Sequence, residues 1–132
     1  MPDNRPRAAV LAFIPDLFFS TKVGTICAGL GRPFVLARTE ADLMAKAAAA
    51  ARSAVLLVDL TAQAAEGVLA RLREGPTADL PLLGYTTHAD WKRTKPLHDR
   101  CDRVITKDDI ASNLAGELER VSRVRSGEGG GE

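Results

Sequence analysis

The sequence predicts one α/β domain, a doubly wound parallel sheet with helices on both faces. Three observations predict it. Five apolar runs alternate with five helical patterns along 132 residues. The runs are almost continuously hydrophobic, as strands covered on both faces must be. The length suits a single domain, and 45% hydrophobic residues suffice for a proper core.

Residues 7–14, RAAVLAFI, form the first strand, ended by Pro15. In 16–31, Phe19, Val23, Ile26 and Leu30 share one helical face, and Gly31 and Pro33 stop the helix. PFVLAR, 33–38, is the second strand. In 39–53 Thr39 precedes Asp42 by three residues, a capping-box-like helix start, and the alanine run that follows favours helix and close packing on a sheet. AVLLVDL, 54–60, is the third strand. Residues 62–75 form the third helix, with Val68, Leu69 and Leu72 inward and Gly75-Pro76 closing it. LPLLGYTTH, 80–88, is the fourth strand, and 89–100 is a short helix that Pro96 limits or kinks. DRVIT, 102–106, is the fifth strand. Residues 107–124 form the last helix, with Ile110, Leu114, Leu118 and Val121 on one stripe. No internal repeat is visible. Five such units suit a flavodoxin-like sheet of order 2-1-3-4-5, in which ligands bind at the carboxyl ends of strands 1 and 3.

Composition narrows the functional classes. Eighteen Lys+Arg balance 17 Asp+Glu, so bulk charge makes no case for nucleic acid or an anionic membrane. Cys27 and Cys101 are far apart and outside any CxxC, as expected of buried free thiols in a reducing compartment. The polar start MPDNRPR does not read as a signal peptide, and the apolar stretch after it is too short and too interrupted to span a bilayer. A cytoplasmic location is expected. The domain is expected over 7–124, with 1–6 and the Gly/Glu-rich 125–132 disordered. There is no GxGxxG after the first strand and no P-loop.

The residues following the strands carry the chemistry. Pro15-Asp16 follow strand 1, Asp59 ends strand 3, Thr86-Thr87-His88 end strand 4, and Thr106-Lys107 end strand 5. In the expected fold, Asp16, Asp59, Thr86, His88 and Lys107 gather at one rim. An unpaired buried carboxylate costs several kcal/mol, so Asp59 is expected where its strand leaves the core. Two nearby carboxylates favour a divalent cation, and oxygen-only ligands suit Mg²⁺.

With those residues in place, the chain resembles the receiver domain of bacterial two-component response regulators over roughly 7–121. The resemblance implies that Asp59 is the phosphoacceptor, that Thr86 hydrogen-bonds phosphoryl oxygens and that Lys107 pairs with the phosphoryl group. It implies Mg²⁺ held by acids after strand 1; here Pro15 takes the first place and only Asp16 remains, which with Asp59 makes a weak site. Receivers usually carry Met-Pro and then Gly after the phosphoacceptor, where this chain has LTAQAAE. The Pro usual after the Lys is Asp108, read as a cap for the last helix, and the switch aromatic is Val104. PDLFFSTKV and GYTTH also resemble stretches of uncharacterised bacterial receiver-like proteins.

Several residues keep two readings. Asp16 is a helix cap or a metal ligand. Lys107 is a phosphoryl partner or a simple counter-ion to Asp59. His88 is a rim ligand or incidental, and His98 has no evident partner. One of Phe18 and Phe19 faces away from the core. Trp91, beside Lys92, Arg93 and Lys95, anchors a partner or covers the sheet end. The leading functional expectation is a stand-alone degenerate receiver acting through a protein partner, a kinase or a downstream target. The alternative is a working single-domain receiver that catalyses its own phosphorylation at Asp59 with Mg²⁺. A third is a small ligand- or metal-binding protein using Asp16, Asp59 and His88. Receivers often dimerise, so a homodimer is among the expectations.

Overall fold

The computed structural model describes residues 8–50 and 54–126. Within them β1 (Ala9–Phe13), β2 (Phe34–Ala37), β3 (Ala54–Asp59), β4 (Leu82–Thr86) and β5 (Arg103–Thr106) alternate with α1 (Leu17–Gly29), α2 (Glu40–Ala50), α3 (Ala65–Leu72), α4 (Trp91–His98) and α5 (Lys107–Ser126). All neighbouring strands are parallel, in the order β2-β1-β3-β4-β5. This is the flavodoxin-like arrangement the sequence predicts. Of the stretches expected to be disordered, 1–6 and 127–132 lie outside the described residues, whereas residues 125–126 of the expected 125–132 tail belong to the end of α5. No described helix is long and apolar enough to cross a membrane.

Strand alternation sorts side chains onto two faces. On one face Val55 and Leu57 of β3 pack with Leu83 and Tyr85 of β4, under Val23 and Cys27 of α1 and the predicted α5 stripe Ile110, Leu114, Leu118 and Val121. On the other, Leu56 and Val58 pack with Leu82 under Leu43 of α2, Val68, Leu69 and Leu72 of α3, and Leu97 of α4. Gly84 of β4 faces this second layer, where a Cβ would lie 2.8 Å from Cys101 Sγ and 2.9 Å from Leu60 Cδ1. Only a hydrogen side chain permits that approach. Both cysteines are free. Burial pushes the Cys27 thiol up to about 11 and the Cys101 thiol up to about 12, so both are held as unreactive thiols.

Local chemistry sets the element ends. The Asp42 amide donates to Thr39 Oγ1 at 3.1 Å, so Thr39 caps α2 as expected. α3 begins three residues later than its sequence pattern, because the chain after Asp59 first turns, with the Ala62 amide donating to Asp59 O. A single 3-10 turn at Gly75–Thr77 follows α3, started by Gly75 at φ +66°. α5 is not one continuous helix. Asn113 has extended backbone, and its Oδ1 accepts from the Gly116 amide at 3.2 Å, restarting the helix as a cap. Asp108 does not cap α5. Thr106 and Asp109 do so reciprocally: the Asp109 amide donates to Thr106 Oγ1 (3.2 Å), and the Thr106 amide donates to Asp109 Oδ2 (2.9 Å).

Candidate functional site

β1 and β3 are adjacent, while β2 lies outside β1, so the chain reverses direction between them at their carboxyl ends. Asp59 stands at this switch point, on the α1/α5 face by alternation with Val55 and Leu57. It is 5% exposed. Its Oδ1 accepts from the Thr61 amide (2.8 Å) and the Thr61 hydroxyl (2.6 Å), an Asx-type turn that satisfies the carboxylate locally. This is how an apolar strand ends in an acid.

Asp59 pairs in register with Tyr85, and both fall on the same face. Tyr85 is fully buried, and among the described residues its hydroxyl has no hydrogen-bond partner. Burial drives its ionisation far upward, and the nearby Asp59 and Asp16 carboxylates add to this. The hydroxyl thus lies close to Asp59 without a bond of acceptable geometry. Phe19 covers it, with ring centroids 5.2 Å apart. Lys107 in turn covers Phe19, its Nζ 4.7 Å from the ring centroid and 3.9 Å from Asp16 Oδ2. Phe18 points outward and is 88% exposed.

Asp16 is the N-cap of α1. Its Oδ1 accepts from the amides of Phe18 (2.9 Å) and Phe19 (3.3 Å). These observations bear on Mg²⁺. A hard dication wants several oxygen donors without a competing cation. One Asp16 oxygen is engaged by helix amides, the other faces an ammonium, and Pro15 brings no side-chain donor. Among the described residues no three His, Cys, Asp or Glu side chains are grouped to hold a metal ion. The residues present do not fit a resident Mg²⁺.

Alternation sends Thr86 to the opposite face from Tyr85, against α4. Thr86 is fully buried and hydrogen-bonded to Thr94 Oγ1 at 3.0 Å. Thr94 Oγ1 also lies 3.0 Å from Asp90 O and 3.1 Å from His98 Nε2. His98 meets Trp91 edge-on at 4.8 Å between centroids. His98, which the sequence left without a partner, therefore has two. Trp91 is 38% exposed and joins His88, Val104, Ile105, Thr106 and Asp109 around a groove of about 360 Å³. Lys92 is exposed beside it. Thr87 donates to Asp90 Oδ2 at 2.8 Å and starts the turn into α4. His88 projects into solvent, 3.9 Å from Asp108.

Among the described residues, no hydrogen bond or ion pair joins Asp59 to Thr86, Lys107 or His88. The structure instead groups Asp59 with Thr61 and Tyr85, Asp16 with Lys107 and Phe19, and Thr86 with Thr94 and His98. Sequence reasoning passed over Tyr85, Thr61 and Thr94. The parity of LLGYT carried the signal, since it separates Tyr85 from Thr86 by face. The register that brings Tyr85 beside Asp59 is a tertiary fact.

No protein-family model matches the chain, and no curated protein matches its sequence. Solved structures do match its fold. A response regulator receiver domain protein from Clostridium thermocellum superposes with a TM-score of 0.75 at 12% identity, covering 90% of this chain and 97% of that one. A signal receiver domain of an HD domain-containing protein from Pseudomonas fluorescens gives 0.74 at 14% identity, over 100% and 98% of the two chains. A chemotaxis response regulator of Vibrio cholerae gives 0.70 at 18% identity, over 87% and 98%. The fold is that of a receiver domain.

Proposed function

We propose that this protein is a degenerate receiver, a signalling module that acts through protein contacts and not through Mg²⁺-dependent phosphorylation. The observation that carries this reading is the commitment of Asp16. The only acid after β1 caps α1 and faces Lys107, so neither the acid nor the lysine is free to serve a phosphoryl group on Asp59. Phosphoryl transfer depends on charges placed in advance around the transferring oxygens, and here those charges neutralise each other. Incubation with acetyl phosphate, with and without Mg²⁺, followed by intact mass, tests this. No stoichiometric adduct is expected.

The second reading, a working receiver modified at Asp59, is favoured by one feature. Both hydrogen bonds to Asp59 fall on Oδ1, which leaves Oδ2 as the atom that would attack a phosphodonor. A Mg²⁺-dependent adduct that vanishes in Asp59→Asn would establish that reading. Either way the output goes to a protein partner, and the exposed surface of Trp91 and Lys92 is where we place the contact.

A further inference from the structure

Asp59 ends β3 with one oxygen already engaged. The Thr61 amide and hydroxyl both donate to Oδ1, so an incoming group has to reach Oδ2. The position beside Asp59 on β4, on the same face of the sheet, carries the single tyrosine of the chain. Adjacent strands lie only about 4.8 Å apart, so the Tyr85 ring rises directly alongside the carboxylate. Phe19 of α1 lies against that ring, with centroids 5.2 Å apart and planes tilted by 52°. Lys107 Nζ lies 4.7 Å over the Phe19 ring, on the outside. Asp16 receives the Phe19 amide and stands 3.9 Å from the same ammonium, so it holds both layers in place. Burial deepens inward, from a Lys107 side chain 35% exposed, through half-buried Phe19, to fully buried Tyr85. The Tyr85 hydroxyl has no partner among the described residues. A requirement for stability alone does not favour such a group. A phenol does suit a ring that must stand beside two carboxylates, because its body is apolar and its tip polar.

We infer that Tyr85 and Phe19 form an aromatic stopper over Asp59, latched from outside by the Lys107–Asp16 pair, that keeps carboxylate-directed electrophiles away from Oδ2. Tyr85 is the specificity-determining residue, because its ring is the layer next to the carboxylate. The stopper is a second obstacle, separate from the commitment of Asp16 described above. A dication supplied to the rim does not move a packed ring, and two rings stacked through α1 yield only if the start of that helix shifts. Asp59 is therefore kept as a shielded carboxylate, and the module holds one state whatever electrophile is present. The inference deepens the degenerate-receiver reading, and it rests on that reading only in naming phosphoryl donors among the electrophiles kept out.

Labelling with a water-soluble carbodiimide and glycinamide tests the stopper without a phosphodonor or a metal. The pair converts an accessible carboxylate to its amide, and peptide mass mapping reads each position separately. Two carboxylates serve as internal references. Asp108, with its side chain 87% exposed, gives the rate of an open acid, and Asp102, 13% exposed at the other end of the sheet, reports loosening of the whole fold. In the unmodified protein Asp108 should be labelled and Asp59 should not. Tyr85→Ala should raise labelling of Asp59 by about tenfold or more and leave Asp102 unchanged, because a buried group reacts in proportion to the population in which it is open. Tyr85→Phe keeps the ring and should stay closed. Thr61→Val removes the hydroxyl bond to Oδ1 but leaves both rings, and should stay closed as well. Should Tyr85→Ala fail to fold, Phe19→Ala removes the outer ring and should open Asp59 by the same measure. Labelling of Asp59 in the unmodified protein overturns the stopper, as does an unchanged Asp59 in folded Tyr85→Ala or Phe19→Ala. Equal rises at Asp59 and Asp102 overturn it too, and so does an opening by Tyr85→Phe or Thr61→Val as large as that by Tyr85→Ala. Failure of the proposed function reads differently. An open Asp59 that still forms no adduct with acetyl phosphate removes the stopper and leaves the Asp16–Lys107 argument standing, whereas an adduct on the unmodified protein removes the degenerate reading itself.

Discussion

The two edges of the sheet are finished in different ways. At the amino edge, Arg73 ties several open groups together. Its guanidinium donates to the carbonyls of Arg100 (3.0 Å), Ala78 (3.3 Å) and Leu80 (3.2 Å) and to Asp102 Oδ2 (3.2 Å). Asp102 Oδ2 also accepts from the Leu82 amide at 2.8 Å, pinning the start of β4 to the start of β5. At the carboxyl edge, by contrast, the buried Tyr85 hydroxyl has no partner among the described residues and the Lys107–Asp16 pair stands at 3.9 Å. Most buried polar groups in folded proteins are hydrogen-bonded. An edge that departs from this rule beside an edge that obeys it marks where stability was not the only requirement.

The largest expected effect breaks the closed edge. Arg73→Ala should lower stability by about 3 kcal/mol, since it opens a mostly buried ion pair and strips three carbonyls of their donor. A shift in the urea midpoint with the slope unchanged checks this. At the open edge Asp16→Ala should cost about 1 kcal/mol through loss of the α1 cap, measured in the same way. A loss as large as that of Arg73→Ala would show that the carboxyl edge is as structural as the amino edge. Tyr85→Phe sharpens the contrast by its sign. Deleting a buried hydroxyl without a partner should raise stability by about 1 kcal/mol, and a loss of that size would mean that Asp59 or a water bonds the hydroxyl in solution.

The smallest effect is a slope with pH. Burial first, then the Lys95 ammonium, hold the His98 imidazole below its ordinary 6.5, with Asp99 opposing. As pH falls below 6.5 the unfolded chain takes up this proton before the folded one does. Stability should therefore decline from about pH 6.5 downward until His98 itself titrates. His98→Gln should remove that component. Asp109, held low by the Thr106 amide, contributes in the same direction but further down. Its stabilisation is present above the ordinary carboxylate range and is lost as pH falls through its depressed value.

Much of the fold was legible because hydrophobic periodicity encodes it directly. The α5 stripe of Ile110, Leu114, Leu118 and Val121 is buried as read, and so are Val68, Leu69 and Leu72 of α3. The strand ends were legible as well: Asp59 and Thr86 are the last residues of β3 and β4, while Asp16 caps α1 after β1 and Lys107 opens α5 after β5. What each side chain touches was not. Thr86 and Tyr85 are neighbours in sequence but lie on opposite faces, and the partner of each depends on a register and a helix position that single-residue patterns do not carry. Asp108 was read as the cap because it follows Lys107, whereas Thr106 has the hydroxyl and Asp109 the three-residue spacing that a capping box needs. His98 looked unpartnered because its partner Thr94 is defined by burial and not by motif.

The proposed function turns on a carboxyl rim that does not serve a phosphoryl group. Fluorine NMR of the protein with beryllofluoride and Mg²⁺ tests it most directly, because that anion adds to a competent aspartate without chemistry. The account predicts only free fluoride species and an unchanged Trp91 emission. A bound resonance in slow exchange, present in the unmodified protein and absent in Asp59→Asn, would contradict it.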